Sequence, residues 1–231
     1  MDVLRRFLQR NFYLVMALLV LAAVLTGFGR TVDANLFHPD RPRPAIMWVH
    51  AALFSSWVML FLAQAALARS RRLQWHRRLG IAAGVLGCLI PPLGIGTALF
   101  MTHWRQVQEA DGLAFLAVSF YDMAAFGANF AMAMACRKQP EWHKRFMLMA
   151  HCSLTSAAFA RFPAALMPGP FFYIAVDGLI LLGVLRDWLI DRRVHAAYLR
   201  TLPCMMLGQA AAMYLYLAAP PWWVELMRSL V

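Results

Sequence analysis

Seven stretches of roughly twenty apolar residues, each bounded by arginine, lysine or proline clusters, dominate this sequence, at about 12–28, 45–68, 79–102, 113–136, 144–166, 170–190 and 203–220. A helix needs about 20 such residues to cross a hydrocarbon layer about 30 Å thick. Backbone groups in lipid must be satisfied within the segment, and none of these runs alternates every second residue as a barrel strand would. The fold class expected is therefore all-α: a polytopic membrane helix bundle of seven transmembrane helices forming a single domain, residues 1–231. Composition agrees, since 62% of the chain is apolar and 14% charged, where soluble domains run about 45–50% and about 25%. The first run follows Arg5, Arg6 and Arg10 as a secretion signal would. The segment after it, Thr26-Gly27-Phe28-Gly29-Arg30, lacks a small-residue cleavage pattern, so the run is read as a retained first helix.

Lys and Arg accumulate in short cytoplasmic loops. With seven spans, one side receives Arg5, Arg6, Arg10, Arg69, Arg71, Arg72, Arg77, Arg78, Arg137, Lys138, Lys144, Arg145, Arg186, Arg192, Arg193 and Arg200. The other receives only Arg30, Arg41, Arg43, Arg105, Arg161 and Arg228. The N-terminus is then cytoplasmic and the C-terminus outside. Trp48, Trp104, Trp222 and Trp223 fall at outer boundaries and Trp75, Trp142 and Trp188 at inner ones, where indole rings prefer to sit; Trp57 lies mid-span. The net charge of +11 is thus a topology signal and a contact with anionic lipid, and it implies a lipid bilayer and no nucleic acid as partner.

Much chemistry is excluded. Cys88, Cys136, Cys152 and Cys204 lie apart with no C-x-x-C pair, so neither a disulfide framework nor a zinc ribbon is expected. The only lysines, Lys138 and Lys144, lie in or beside one loop, which excludes a retinal Schiff base inside a late helix. H-E-x-x-H, G-x-S-x-G and Walker A spacings do not occur. The third helix carries Gly80-x-x-x-Gly84, Gly87 and Pro91-Pro92. Small residues permit close helix packing, and the proline pair predicts a mid-helix kink, with the freed carbonyls near Gly87 and Cys88 as a second reading for a cavity lining. The last span looks structural.

Ionisable groups at membrane depth are costly and mark functional sites unless neutralised. At about 1.5 Å per residue, Asp122 lies about 14 Å, Asp177 about 10 Å, and His50 and Arg161 each about 8 Å below the outer boundary, with His103 at it. One reading pairs Arg161 with Asp122 or Asp177 as an interhelical tie. The other is an outer-facing pocket in which Asp122 or Asp177 handles protons while Arg161 or His50 binds an anionic or carbonyl group. On the inner side, Trp75-His76-Arg77-Arg78 and Trp142-His143-Lys144-Arg145 place two histidines at one depth, as axial ligands of a haem b would be; interfacial anchoring is the alternative. His151, about 10 Å inside, is read as a further candidate ligand or as hydrogen-bonded to a neighbour such as Gln64 or Asn129.

Taken together, His50-x6-Trp57-x6-Gln64, His76-Arg77-Arg78-Leu79-Gly80, Asp122, His143-Lys144-Arg145-Phe146-Met147-Leu148, Arg161-Phe162-Pro163 and Asp177 resemble a family of small uncharacterised bacterial inner-membrane proteins of about this size. The resemblance runs from about His50 to Arg193 and implies the bacterial inner (cytoplasmic) membrane, without an assigned reaction. The string at His143 is also similar to membrane factors of terminal-oxidase maturation, over one helix only. Two classes of function stand open. One is redox-linked: haem or quinone binding, or assembly of a respiratory complex, with His76 and His143, or His50 and His151, as ligands. The other is an enzyme or carrier for a small lipid-soluble molecule using His50, Asp122, Arg161 and Asp177. A structural accessory subunit is the third.

Overall fold

The computed structural model describes residues 2–231, and no strand occurs among them. The helices are α1 (Asp2–Gly29), α2 (Ala45–Arg69), α3 (Leu73–Trp104), α4 (Ala110–Ala114), α5 (Leu116–Ala135), α6 (Pro140–Ser153), α7 (Ser156–Phe159), α8 (Phe172–Asp191), α9 (Ala196–Ala218) and α10 (Pro221–Leu230), with a π-helical turn at Asp33–Phe37. Five stretches are long and apolar enough to cross a membrane: Arg5–Gly29, Ala45–Arg69, Leu73–Trp104, Ala110–Ala135 and Ala196–Ala218. The chain is therefore a multi-pass membrane protein. Its perimeter fits that solvent, since Leu18, Leu25, Val85, Leu89, Leu207 and Leu217 all point outward.

The other two expected spans take different forms. A continuous helix over 144–166 is not what the chain makes: α6 stops at Ser153, one turn follows as α7, and residues 160–171 are largely irregular. At about 1.5 Å per residue, the 14 residues of α6 reach only about 21 Å. The reason is local. Ser153 and Thr155 turn their hydroxyls onto the carbonyls of Ala150 and Cys152, offering the backbone an alternative to the helical ladder, and Pro163, Pro168 and Pro170 donate no amide. The sixth, α8, is long enough at 20 residues but carries Asp177, Arg186, Asp187 and Asp191. C-terminal α10 was not foreseen. Pro220 and Pro221 end α9, and Trp223, Val224 and Met227 then fold back onto Leu113 and Ala114 of α4.

α5 lies at the centre of the bundle, against α3, α6 and α9, while α1 packs on α2, α7 and α8. The main core gathers Met16, Ala17, Leu148, Met149, Ile180 and Tyr198. A second, around Trp57, Ile90, Phe126 and Phe130, joins α2, α3 and α5. Helix α3 remains one 32-residue helix through Pro91 and Pro92. Its tightest packing is not at Gly80 and Gly84, as the spacing predicts, but deeper: the bare faces of Gly87 and Gly94 receive the Phe130 ring and the Met123 side chain. Phe130 occupies the space at Gly87, and Cys88 is exposed.

Gly27 lets α1 touch the backbone of α7. A Cβ there would run into the Ala158 carbonyl, which cannot swing aside as a side chain could. Gly27→Ala is expected to cost about 1–3 kcal/mol, the usual penalty of overpacking. Gly96→Ala, whose added Cβ meets nothing within 4 Å, is expected to be neutral or slightly stabilising. Thermal unfolding of the two variants in a neutral detergent checks this, and equal transitions would contradict it.

Candidate functional site

Two polar centres lie inside this apolar frame. The first surrounds Asp122, two turns into α5 and 7% exposed. One carboxylate oxygen meets the Ser156 hydroxyl from α7, and the other accepts from the Tyr173 hydroxyl of α8 at 2.9 Å. The Tyr173 ring stands edge-on to Tyr121, centroids 5.7 Å apart, and Tyr121 donates to the Met205 carbonyl of α9 at 2.7 Å. Both tyrosines lie within electrostatic reach of Asp122 and of Asp177. Asp177 is half-buried and accepts from Gln209 Nε2 of α9 at 2.8 Å. Two acids, two tyrosines, a serine and a glutamine thus converge from α5, α7, α8 and α9. The ninth helix, expected to be structural, supplies Gln209 and the Met205 carbonyl.

The expected tie between Arg161 and an acid does not form. Arg161 is exposed, rests its guanidinium 4.6 Å from the centre of the Phe28 ring and donates to the Ala157 carbonyl at 2.5 Å. It makes no ion pair among the described residues. Irregular chain after α7 turns it away from Asp122, toward Arg105 and His50. His50 stacks on Phe54, centroids 4.1 Å apart, with its Nδ1 buried and unpaired. The four residues expected in one outer pocket are therefore divided, with Asp122 and Asp177 in one group and His50 and Arg161 in another.

His50, Phe54, Trp57, Phe61 and Gln64 follow one another at helical spacing along a single face of α2. His151 of α6 inserts its ring between two of them, 4.9 Å from Trp57 and 3.7 Å from Phe61, both nearly parallel. Its Nδ1 bonds the Met147 carbonyl at 2.7 Å, not Gln64 or Asn129, because the preceding turn of its own helix is nearer than either amide. His76 and His143 open α3 and α6. Each directs Nδ1 at a backbone carbonyl, His76 at Gln64 (3.3 Å) and His143 at Ala133 (2.8 Å), and the two imidazoles lie within electrostatic reach of each other. An Nδ1–H held by a carbonyl presents Nε2 as the acceptor, which is how ligating histidines are commonly oriented.

The second centre is a knot of charge joining α6 to α8. Arg145 grips Asp187 with two hydrogen bonds, Nε to Oδ2 at 2.7 Å and Nη2 to Oδ1 at 2.6 Å, and the side chains are 2% and 1% exposed. Nη1 also reaches Glu141 at 2.7 Å, and Arg186 ties Asp187 (2.9 Å) to Asp191 (2.8 Å). Burial pushes the Glu141 carboxyl up, but Lys144 and Arg145 outweigh it and hold its pKa down at about 2. The His195 amide donates to Asp187 at 3.3 Å, and burial, then the Arg145 charge, lowers the imidazole below its ordinary range.

Sequence reasoning missed this knot, having counted Arg145 and Arg186 only as topology signals. The signals were there: Glu141 and Arg145 stand four apart on α6, as do Asp187 and Asp191 on α8. Likewise Tyr173 and Asp177 share a face four apart. Only Ser156 had no such mark. No family model, curated protein or solved structure matches the chain.

Proposed function

We propose that the chain spans a bacterial inner membrane seven times, with the N-terminus cytoplasmic, and that the Asp122 cluster takes up and releases a proton during conversion or carriage of a small lipid-soluble molecule. In this reading, α6 with α7 and the ion-paired α8 complete the count, and the asymmetry of Lys and Arg sets the orientation. The observation that carries the reading is the surroundings of Asp122: a buried acid that makes no ion pair among the described residues, with both oxygens on hydroxyls, one of them that of Tyr173, which is also within electrostatic reach of Asp177. Hydroxyls either donate to a carboxylate or accept from a carboxylic acid, so they accommodate both states and can pass a proton between them. Asp187 is held in a bidentate ion pair with Arg145, whereas Asp122 meets only hydroxyls. The test is infrared spectroscopy of the reconstituted protein across pH. A protonated-carboxyl band that titrates and disappears in Asp122→Asn is expected, and an unchanged band overturns the reading.

A second, redox-linked reading is favoured by one observation, the matched orientation of His76 and His143. As a donor set they fit a haem b, which would supply one-electron chemistry at the inner face, alone or within a respiratory complex. For this reading, protein purified with haem supplementation is expected to show a Soret band that His143→Ala abolishes. A colourless wild type refutes it.

A further inference from the structure

At the N-terminal end of α1, a groove of about 780 Å³ opens between its first turns and the α2–α3 turn. Among the described residues, every titratable side chain lining it is an arginine: Arg6, Arg10, Arg69 and Arg71, with Gln9 and Ser70 between them. Arg69 ends a membrane-spanning helix, so the groove sits at headgroup level. We propose that this groove binds phosphate, presented by an anionic phospholipid headgroup or as a free anion.

Three features beyond charge support it. The volume lies within the range of small-ligand sites, about 300–1,000 Å³. Arg69 is held in place: its Nε donates to Asn11 Oδ1 at 2.6 Å, and the Asn11 amide is itself fixed by donating to the Phe7 carbonyl at 3.1 Å. The rest of the guanidinium remains for a second partner, and its planar fork suits phosphate oxygens. Arg71 adopts φ 57°, the left-handed region where glycine is the easy choice. A tight turn between two spans accounts for the backbone, but not for an arginine there; strained non-glycine residues concentrate where a side chain has work to do.

The test uses the full-length protein, delipidated in neutral detergent. Native mass spectrometry reads binding of phosphatidylglycerol against phosphatidylcholine, and thermal unfolding reads inorganic phosphate against chloride at equal ionic strength. Saturable binding of phosphatidylglycerol alone identifies a headgroup site, and a saturable shift with phosphate as well identifies a free-anion site; either supports the proposal. Arg69→Gln with Arg71→Gln is expected to weaken binding about 30-fold, at about fivefold per arginine. Arg137→Gln with Arg193→Gln, equal in charge and outside the groove lining, is expected to have little effect. Arg71→Gly separates ligand from fold: its thermal stability without ligand is expected to be unchanged or higher, while its affinity drops. No saturable binding of either probe, equal loss in the pair outside the lining, or full affinity in Arg71→Gly overturns the proposal.

Discussion

Asp187→Ala is expected to destabilise the protein by about 3–5 kcal/mol, because it strands a buried guanidinium without its bidentate partner. Arg145 is 2% exposed, and its remaining contacts are to Glu141, itself 59% exposed, and to Asp191 at a long 3.4 Å. Neither can replace the two short bonds to Asp187. The pair joins α6 to α8, and α6 is too short to hold its place in the bundle by length alone. The double replacement Arg145→Met with Asp187→Leu removes both charges together and is expected to recover most of the loss, since a buried ion pair and an apolar pair of similar volume are often close in stability. Denaturation in mixed micelles measures both. A single-variant loss below about 1 kcal/mol, the scale of an exposed pair, would show that the knot is wet in solution.

The second large effect is on function. Asp122→Asn keeps the size of the side chain and an oxygen for the Tyr173 hydroxyl, but cannot carry the proton. The variant is expected to fold as wild type and to lose activity by about 10²–10⁴-fold, the usual contribution of a positioned acid or base. Tyr173→Phe leaves the carboxyl in place while removing one donor, and is expected to cost less. The readout is the phenotype of cells in which the variant replaces the native gene, with membrane abundance measured alongside. Wild-type growth of Asp122→Asn at equal abundance would remove the proton-handling role. Loss of abundance instead would assign Asp122 to folding, a structural tie from α5 to α7 and α8.

How much was legible follows from the range of each interaction. Leu18, Leu25 and their like had to be apolar because lipid surrounds them, so the long spans announce themselves in composition. That Asp122 would be buried could be counted along a helix, and so could the places of His76 and His143 in the first turns of theirs. Partnership did not. One reading pairs Arg161 with Asp122 or Asp177 because opposite charges at similar depth should attract, yet the break after Ser153 redirects the chain and gives Asp122 to Ser156 and Tyr173. His151 likewise found two aromatic faces on α2 that no spacing within its own helix could reveal.

The order of apolar and charged residues by itself determined a multi-pass helical membrane protein, because the cost of burying charge in lipid depends only on residue type and depth. The tertiary structure decided who meets whom: that Asp122 meets the Ser156 and Tyr173 hydroxyls, that Asp177 meets Gln209, that Arg145 belongs to Asp187, and that Arg161 stands apart. Such pairings depend on helix rotation and on where a helix breaks, and a rotation of one residue, about 100° for 3.6 residues per turn, is enough to turn a side chain from one neighbour to another.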